Sequence, residues 1–456
     1  MSTATDLRPA AALRGRCELH LPGDPGYDAA RTPWNVAVDQ RPAAVAVPRT
    51  VEEVAAVVRA AATAGLRVAP QSTGHGAAAL AEQGLDDVVL LRLHELTGVE
   101  VDPEHRTARV AGGTQWAEVV AAAAPHGLTA LHGSAPDVAV AGYLLGGGLS
   151  FYGRCHGLAC SSLVAADVVT ADGTLVHTDA DTEPELLWAL RGGGGNLGVV
   201  VGLEIELLPI ADVYAGMLLW EVGHAPAVLR AWAEVTRDAP DSLTTSLRVM
   251  SFPPLPQLPP FLSGRRLVVV DGAVLEDDDA AAALLAPLRA LEPEMDTFAR
   301  MPAAGLLGVH MDPPAPTPAV SDHAVLGGLD EEAIEALLAL VGPDAETSLM
   351  FAELRQLGGA LARPATVDGA LPSLPGAYLL FALAVTPVPE AVAPGLAATS
   401  EVVRALAPWS LASRVLNFAD RRVDVAGGYD GEDWARLGAT RDRLDPDRRV
   451  VANHPV

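Results

Sequence analysis

Two glycine-rich segments constrain the fold of this chain more than any other feature. Residues 71–76 (QSTGHG) form a Gly-His-Gly turn directly after a predicted strand, and residues 133–157 contain the run GYLLGGG at 142–148. Glycines at such places let backbone amides approach a flat or charged ligand, including a pyrophosphate, without a basic side chain. The run at 142–148 has too many glycines for a helix or strand, so it is predicted to be irregular backbone against a ligand.

Each segment has a second interpretation when it is taken alone. A histidine in a turn often only satisfies loop hydrogen bonds, and a glycine-rich loop is often only flexible. Neither segment matches the common nucleotide fingerprints, because the Rossmann pattern needs G-x-G-x-x-G between a strand and a helix, and the P-loop needs a lysine. The two segments together favour a ligand site.

The charge of the chain limits its partners. Arginine supplies all 31 basic residues, against 57 acidic ones, so the net charge is -26. Nucleic acid and anionic membrane surfaces attract clustered cations, and this balance argues against both as partners. The absence of lysine also excludes a Schiff-base lysine or a lysine general base. The expected partner is a small-molecule substrate.

The order of predicted elements gives an α+β fold with two domains. Residues 44–70 predict a strand, a helix that begins after Thr50 in a capping-box pattern, and a second strand. From about residue 211, separated strands alternate with Ala- and Leu-rich helices, which indicates a second domain. The expected boundaries are 1–210 and 211–400, with 401–456 returning to the first domain.

No apolar run approaches the roughly 20 residues that a membrane-spanning helix needs. The N-terminal residues lack the apolar core of a secretory signal, and three cysteines are too few for a disulfide framework. These features predict a cytoplasmic protein that does not bind a membrane.

The motifs in their order support a family resemblance. The segments QSTGHG, GYLLGGG, ELLWALRGGGGNLGVVVGLEIEL and, near the C-terminus, LNFAD follow one another along the chain. This order resembles the vanillyl-alcohol oxidase superfamily, specifically its berberine bridge enzyme-like and 6-hydroxy-D-nicotine oxidase-like members. The resemblance implies an FAD-binding domain made of the N-terminal part and the C-terminal return, with a substrate domain of antiparallel sheet and helices between them.

The resemblance also implies how the cofactor is held. In that family the histidine of the Gly-His loop bonds the 8α-methyl carbon of FAD, and His75 occupies this position. Many relatives attach the flavin a second time through a cysteine, at the position that Ala135 occupies here. The expected attachment is therefore covalent at His75 alone. The residues predicted to contact the cofactor are Gln71, Ser72, Thr73, Gly74, His75, Gly76, Ser134, Ala135, Pro136, Val140, Ala141, Gly142, Tyr143, Gly146, Gly147, Gly148, Gly157, Leu158, Val200 and Asn417.

The catalytic group is less directly indicated. Relatives often carry Tyr-x-Asn near the C-terminus, whereas this chain has Val415 and Asn417, so the tyrosine base is missing. The strand at MFAELRQL places Glu353 and Arg355 on one face, because side chains alternate along a strand. Glu353 is therefore the predicted base or orienting group beside Arg355, although a structural Glu-Arg pair is an open alternative.

Other polar residues complete the predicted site. Asn417 is predicted to contact substrate or flavin, and Tyr143 is a further catalytic candidate, although it could instead pack under the flavin ring. His310 and Asp312 are expected to cap a loop.

The expected reaction is a two-electron oxidation of an alcohol, an amine or a natural-product intermediate. A hydride equivalent would pass to flavin N5, and dioxygen would reoxidise the flavin to give hydrogen peroxide. An oxygenating or cyclising enzyme of secondary metabolism is the alternative, and a protein that only binds FAD is a third class.

Overall fold

The structure is a computed structural model that describes residues 8–254, 256 and 258–456. Residues 1–7 of the first predicted domain, and residues 255 and 257 of a predicted Pro-rich loop, lie outside the described residues. The strands are β1 Glu18–His20, β2 Ala44–Val47, β3 Arg67–Gln71, β4 Val88–Arg92, β5 Val99–Asp102, β6 Thr107–Ala111, β7 Leu163–Val169, β8 Leu175–Thr178, β9 Val199–Glu206, β10 Asp212–Glu221, β11 Leu243–Ser251, β12 Arg266–Val274, β13 Met295–Asp296, β14 Ala299–Pro302, β15 Ala319–Leu326, β16 Phe351–Gln356 and β17 Tyr378–Val385. The helices are α1 Arg8–Ala11, α2 Tyr27–Arg31, α3 Val51–Thr63, α4 Ala77–Ala81, α5 Trp116–Ala123, α6 Val140–Leu145, α7 Gly153–His156, α8 Pro184–Leu190, α9 Ala225–Arg237, α10 Asp278–Arg289, α11 Glu331–Val341, α12 Val392–Ala405 and α13 Gly431–Leu444.

The first sheet has the order β1-β2-β4-β3, in which β2, β4 and β3 are parallel. Helix α3 connects β2 to β3, which confirms the predicted strand-helix-strand unit and places β4 between its strands. Thr50 caps α3 by accepting from the backbone nitrogen of Glu53, whose carboxylate accepts from the backbone nitrogen of Arg49. This sheet ends at the 71–76 turn.

The C-terminal segment joins the same sheet. The backbone nitrogen of Val68 donates to the carbonyl of Arg449, and that of Val451 donates to the carbonyl of Val68, both at 2.8 Å. Further along, the Asn453 side chain donates to the carbonyl of Gly76. The chain end therefore lies beside the 71–76 turn, while the domain boundaries at 210 and 400 stay predictions.

The second sheet is antiparallel, in the order β5-β6-β9-β7-β8. It contains a hairpin, since β7 and β8 pair around a turn in which Gly173 has a positive φ of 81°. Its strands enclose a core with α5, α6 and α8.

The third sheet has eight antiparallel strands, in the path β13-β10-β12-β11-β16-β17-β15 with β14 also paired to β10. Alternate residues point to opposite faces. One face packs its aliphatic side chains under α9 to α12, which supply residues such as Trp232 and Leu337 to the core. The opposite face carries polar and charged side chains, and it forms part of the candidate site. Across the described ranges, no helix is long and apolar enough to cross a membrane.

Candidate functional site

The 71–76 turn presents free backbone donors. Within the described chain, the amides of residues 72–76 have no hydrogen-bond acceptor. Gly74 has a φ of 87°, and a Cβ there would lie 2.7 Å from Pro33, so only glycine fits. A row of unsatisfied amides beside a glycine with left-handed backbone suits a phosphate-bearing ligand.

The His75 ring is held on three sides. It stacks on Trp34 with ring centroids 4.3 Å apart. Its Nδ1 lies 2.9 Å from the Thr73 hydroxyl, and its Nε2 lies 3.6 Å from Oδ1 of Asp137. Nε2 and Oδ1 are buried and have no hydrogen-bond partner among the described residues. The ring is therefore fixed while one nitrogen is unsatisfied.

Sequence reasoning missed Trp34 and Asp137. Asp137 accepts from the Trp34 indole at 2.5 Å, which ties the start of the chain to the second glycine segment. Burial alone would raise the pKa of Asp137, but His75 and Trp34 outweigh it and hold the pKa below its ordinary value. A signal existed, because an acid in an otherwise apolar Gly- and Ala-rich segment needs a polar partner.

The second glycine segment faces the same place. In the described parts of the chain, the amides of Gly133, Ser134 and Ala135 have no acceptor. The carbonyls of Pro136 and Val138 accept from the first residues of α5, which pins the loop. Since Asp137 Oδ1 lies 3.6 Å from His75 Nε2, the two segments with free amides are close together. Backbone amides of this kind can bind phosphate without any lysine.

The GYLLGGG run departs from the prediction of irregular backbone. Residues Val140–Leu145 form helix α6, so Val140, Ala141 and Gly142 are helical, and only the following glycines turn. Gly147 and Gly148 have positive φ values of 102° and 77°. The prediction was wrong because the apolar residues of Val140–Leu145 pack well enough to stabilise a short helix.

Tyr143 has a packing role in this structure. It lies edge-on to Trp116, with centroids 5.4 Å apart, and a Cβ on Gly148 would lie 2.5 Å from its ring. Its hydroxyl is buried without a partner in the described chain, and burial raises its pKa. No contact supports the predicted catalytic role, which stays a prediction.

Asn417 holds the glycine run in place. Its Oδ1 accepts from the backbone of Gly148 at 2.8 Å, and its Nδ2 donates to the carbonyl of Tyr143 at 3.0 Å. A Cβ on Gly146 would lie 2.5 Å from Nδ2. The predicted contact with substrate or flavin stays a prediction, because these bonds occupy the amide.

The remaining cofactor candidates are backbone or packing positions. Gln71 exchanges side-chain hydrogen bonds with Gln40 at 2.9 and 3.2 Å. Leu158 is buried in an apolar cluster, directly after Gly157 with its φ of 88°. Val200 lies in β9, and a Cβ on Gly112 would lie 2.4 Å from its carbonyl oxygen. Their predicted cofactor contacts are untested.

The polar face of the third sheet gathers charged side chains from three neighbouring strands. Asp271 of β12 is opposite Ser246 of β11, which is opposite Arg355 of β16. In the next register position, Arg248 of β11 is opposite Glu353. Asp271 and Glu353 are both fully buried. Burial would raise the pKa of Asp271, but His310 and Arg248 lower it far below its ordinary value.

His310 corrects a prediction. It was expected to cap a loop with Asp312, but it is buried, and its Nδ1 lies 2.9 Å from Oδ2 of Asp271. Its Nε2 lies 3.1 Å from Nη2 of Arg355 and 3.4 Å from Oε1 of Glu353. The apolar surroundings of VHMDPP concealed this contact, because its partners come from distant strands.

Glu353 and Arg355 form an ion pair that uses only one of the two carboxylate oxygens of Glu353. Arg355 Nε donates to Glu353 Oε1 at 2.9 Å, whereas Oε2 is buried without a partner among the described residues. The guanidinium also lies over the Phe418 ring, 5.0 Å from its centroid. A small cavity is lined by Ser134 from the second glycine segment and by Arg355 and Ser246 from the sheet. The charged face therefore adjoins the loops that present free amides.

Known proteins resemble this chain in sequence and in fold. Residues 42–179 match the family model described as an FAD binding domain. The 6-hydroxy-D-nicotine oxidase from Arthrobacter nicotinovorans superposes with a TM-score of 0.84 at 25% identity, over 96% of this chain and 97% of that one. The predicted resemblance to the vanillyl-alcohol oxidase superfamily and the predicted two-domain α+β fold are confirmed.

Relatives in this superfamily act as oxidases. The (R)-6-hydroxynicotine oxidase of Paenarthrobacter nicotinovorans is 32% identical over 243 residues, or 53% of each chain. The glucooligosaccharide oxidase of Sarocladium strictum is 34% identical over 226 residues, 48% of this chain and 45% of the relative. This chain thus spans about half the length of the curated relatives it matches.

A solved superfamily member bears on the cofactor. The glucooligosaccharide oxidase from Acremonium strictum carries a 6-S-cysteinyl, 8α-N1-histidyl FAD. It shares the fold, with a TM-score of 0.81 at 22% identity over 98% of this chain and 99% of that one. Attachment at His75 in this chain stays a prediction.

Proposed function

We propose that this protein is an FAD-dependent oxidase whose flavin is bonded to His75 alone. Support comes from the fixed ring of His75, the free amides of the two glycine segments, and the histidyl FAD of a solved relative. Ala135 offers no thiol for a second bond. Cys160 is buried, and burial raises the pKa of its thiol to about 12, so it supplies no thiolate.

The single observation that supports the reaction is the free oxygen of Glu353. A buried carboxylate oxygen without a donor is costly, and a substrate O-H or N-H would satisfy it. Arg355 donates to the other oxygen. The substrate class is therefore a small molecule with a hydroxyl or amine on the carbon to be oxidised.

In this reaction the substrate loses two electrons and two protons. Glu353 takes the proton of the hydroxyl or amine, while Arg355 holds the carboxylate in place. Bound FAD supplies the acceptor for the hydride equivalent, and dioxygen takes the electrons onward to give hydrogen peroxide. The residues of the chain thus contribute proton transfer and orientation.

The attachment is tested by acid denaturation of the purified protein. We expect the yellow chromophore to stay with the chain in wild type and to be lost in His75→Ala. His94→Ala, an exposed histidine after the neighbouring strand β4, is the matched control and keeps the flavin. Flavin found on a cysteine-containing peptide after digestion would contradict single attachment.

The reaction is tested by anaerobic flavin reduction with a panel of alcohols, sugars and amines. For the substrate found, Glu353→Gln should reduce flavin about 100- to 10,000-fold more slowly, because general base catalysis contributes that much. Equal rates in both proteins would refute the role of Glu353. One peroxide formed per substrate supports the oxidase, whereas oxygen incorporation or a cyclised product with less peroxide supports the alternative enzyme class.

A further inference from the structure

The cluster behind Glu353 forms one continuous chain of hydrogen bonds. Ser246 donates to Oδ1 of Asp271, and Arg248 donates to Oδ2. His310 connects that carboxylate to Arg355, which in turn donates to Glu353. Only the last of these hydrogen bonds joins residues that are close in sequence, because Glu353 and Arg355 share one face of β16.

The contacts of His310 determine where its proton lies. A guanidinium has only donors, so the 3.1 Å contact from Arg355 needs a lone pair on Nε2. The proton of the neutral ring is then on Nδ1, where it donates to the Asp271 carboxylate at 2.9 Å. An ionised Asp271 carboxylate has only acceptors, and the donors Ser246, Arg248 and His310 together favour that state.

The cluster contains two buried ion pairs. Arg248 contacts Asp271, and Arg355 contacts Glu353. Among the described residues, Asp312 also acts on Arg355 through its negative charge.

We propose that His310, fixed by Asp271 as the Nδ1-protonated tautomer, is a positioning residue that holds Arg355 and keeps Oε2 of Glu353 free for substrate. With Nε2 of His310 and Oε1 of Glu353 as its two acceptors, Arg355 has one position. Without His310, the guanidinium can swing to donate to both oxygens of Glu353, as arginine prefers with a carboxylate. The base would then be blocked. This inference rests on the proposed function of Glu353.

The first test needs no substrate. Nitrogen-15 NMR of histidine-labelled, FAD-loaded full-length protein reports which ring nitrogens carry protons, and His310→Gln assigns the signal. At about pH 7, near the range where free histidine titrates, we expect Nδ1 protonated and Nε2 bare. In Asp271→Asn we expect the tautomer to switch or the ring to lose its fixed state. A proton on Nε2 in wild type would overturn the proposal.

The second test measures flavin reduction by the substrate that the panel identifies. His310→Leu should slow reduction on the order of 100-fold, as expected for a misplaced reacting group, and its acid limb should move to lower pH. The limb moves because an arginine bonded to both oxygens favours the ionised carboxylate. Tyr378→Phe is the matched control, because it removes a buried hydrogen bond to Thr236 from the opposite face of the sheet.

The outcomes separate the two proposals. If Glu353→Gln slows reduction and His310→Leu does not, with its pH profile unchanged, the positioning role is refuted while the base survives. If Glu353→Gln leaves the rate unchanged, the proposed function itself fails. If His310→Leu does not fold, the tautomer measured in wild type and in Asp271→Asn still decides the proposal.

Discussion

The two sides of the candidate site present different chemical groups. Around His75, two loops present backbone amides, and the nearest carboxylate, Asp137, is about a quarter exposed. On the sheet face, the carboxylates of Asp271 and Glu353 are fully buried among arginines and a histidine. In the proposed function, this chain without lysine binds its anionic cofactor through backbone amides and keeps its buried charge pairs for proton transfer.

The largest expected difference between the two sides is in stability. Asp271→Ala leaves Arg248 and His310 buried without their partner and should lower the free energy of unfolding by about 3–5 kcal/mol. Asp137→Ala breaks a contact whose two side chains are each about a quarter exposed, and should cost only about 0–1 kcal/mol. Chemical denaturation of both variants measures this difference. Equal losses would show that burial does not separate the two sites.

The second prediction uses the pH dependence of stability. His132, beside the cofactor loop, is fully buried, and burial lowers its pKa from 6.5 to about 4. Between these two pKa values, His132 binds a proton in the unfolded chain but not in the folded chain. The free energy of unfolding therefore falls as pH decreases from about 6.5 to about 4. The loss should be about 3 kcal/mol over this window.

His132→Leu should lose correspondingly less stability over the same pH window, measured by denaturation at several pH values. A variant with the wild-type pH slope would disprove the assignment to His132.

The smallest expected effects compare two glycines of the cofactor loops. Gly74→Ala forces a left-handed backbone and a contact 2.7 Å from Pro33, and should cost about 1–3 kcal/mol. Gly142→Ala adds a methyl to open space inside helix α6 and should stabilise the flavin-free protein by about 0.5–1 kcal/mol.

If the open space beside Gly142 is filled by FAD, the same Gly142→Ala variant should also take up less flavin. Thermal unfolding and the flavin-to-protein absorbance ratio measure both effects. Full flavin content in Gly142→Ala would remove Gly142 from the cofactor site.

Local patterns predicted much of the fold. The capping pair at Thr50 and Glu53 specified the start of α3, and the Asp172-Gly173 turn specified the hairpin of β7 and β8. Alternation along β16 correctly placed Glu353 and Arg355 on one face. These signals act over a few residues, so they survive without knowledge of the tertiary fold. Helix α6 was missed because glycine content was weighed above the apolar residues that bury it.

The sequence by itself determined the family, the glycine turn with His75 and the missing cysteine at Ala135, because each is a local property of consecutive residues. Only the tertiary structure decided what surrounds them. Trp34 and Asp137 reach His75 from different segments. His310 contacts both Asp271 of β12 and Glu353 of β16, which lie two strands apart in the sheet. The physical reason is strand order: side chains tens of residues apart become neighbours only when register and burial bring them to one face.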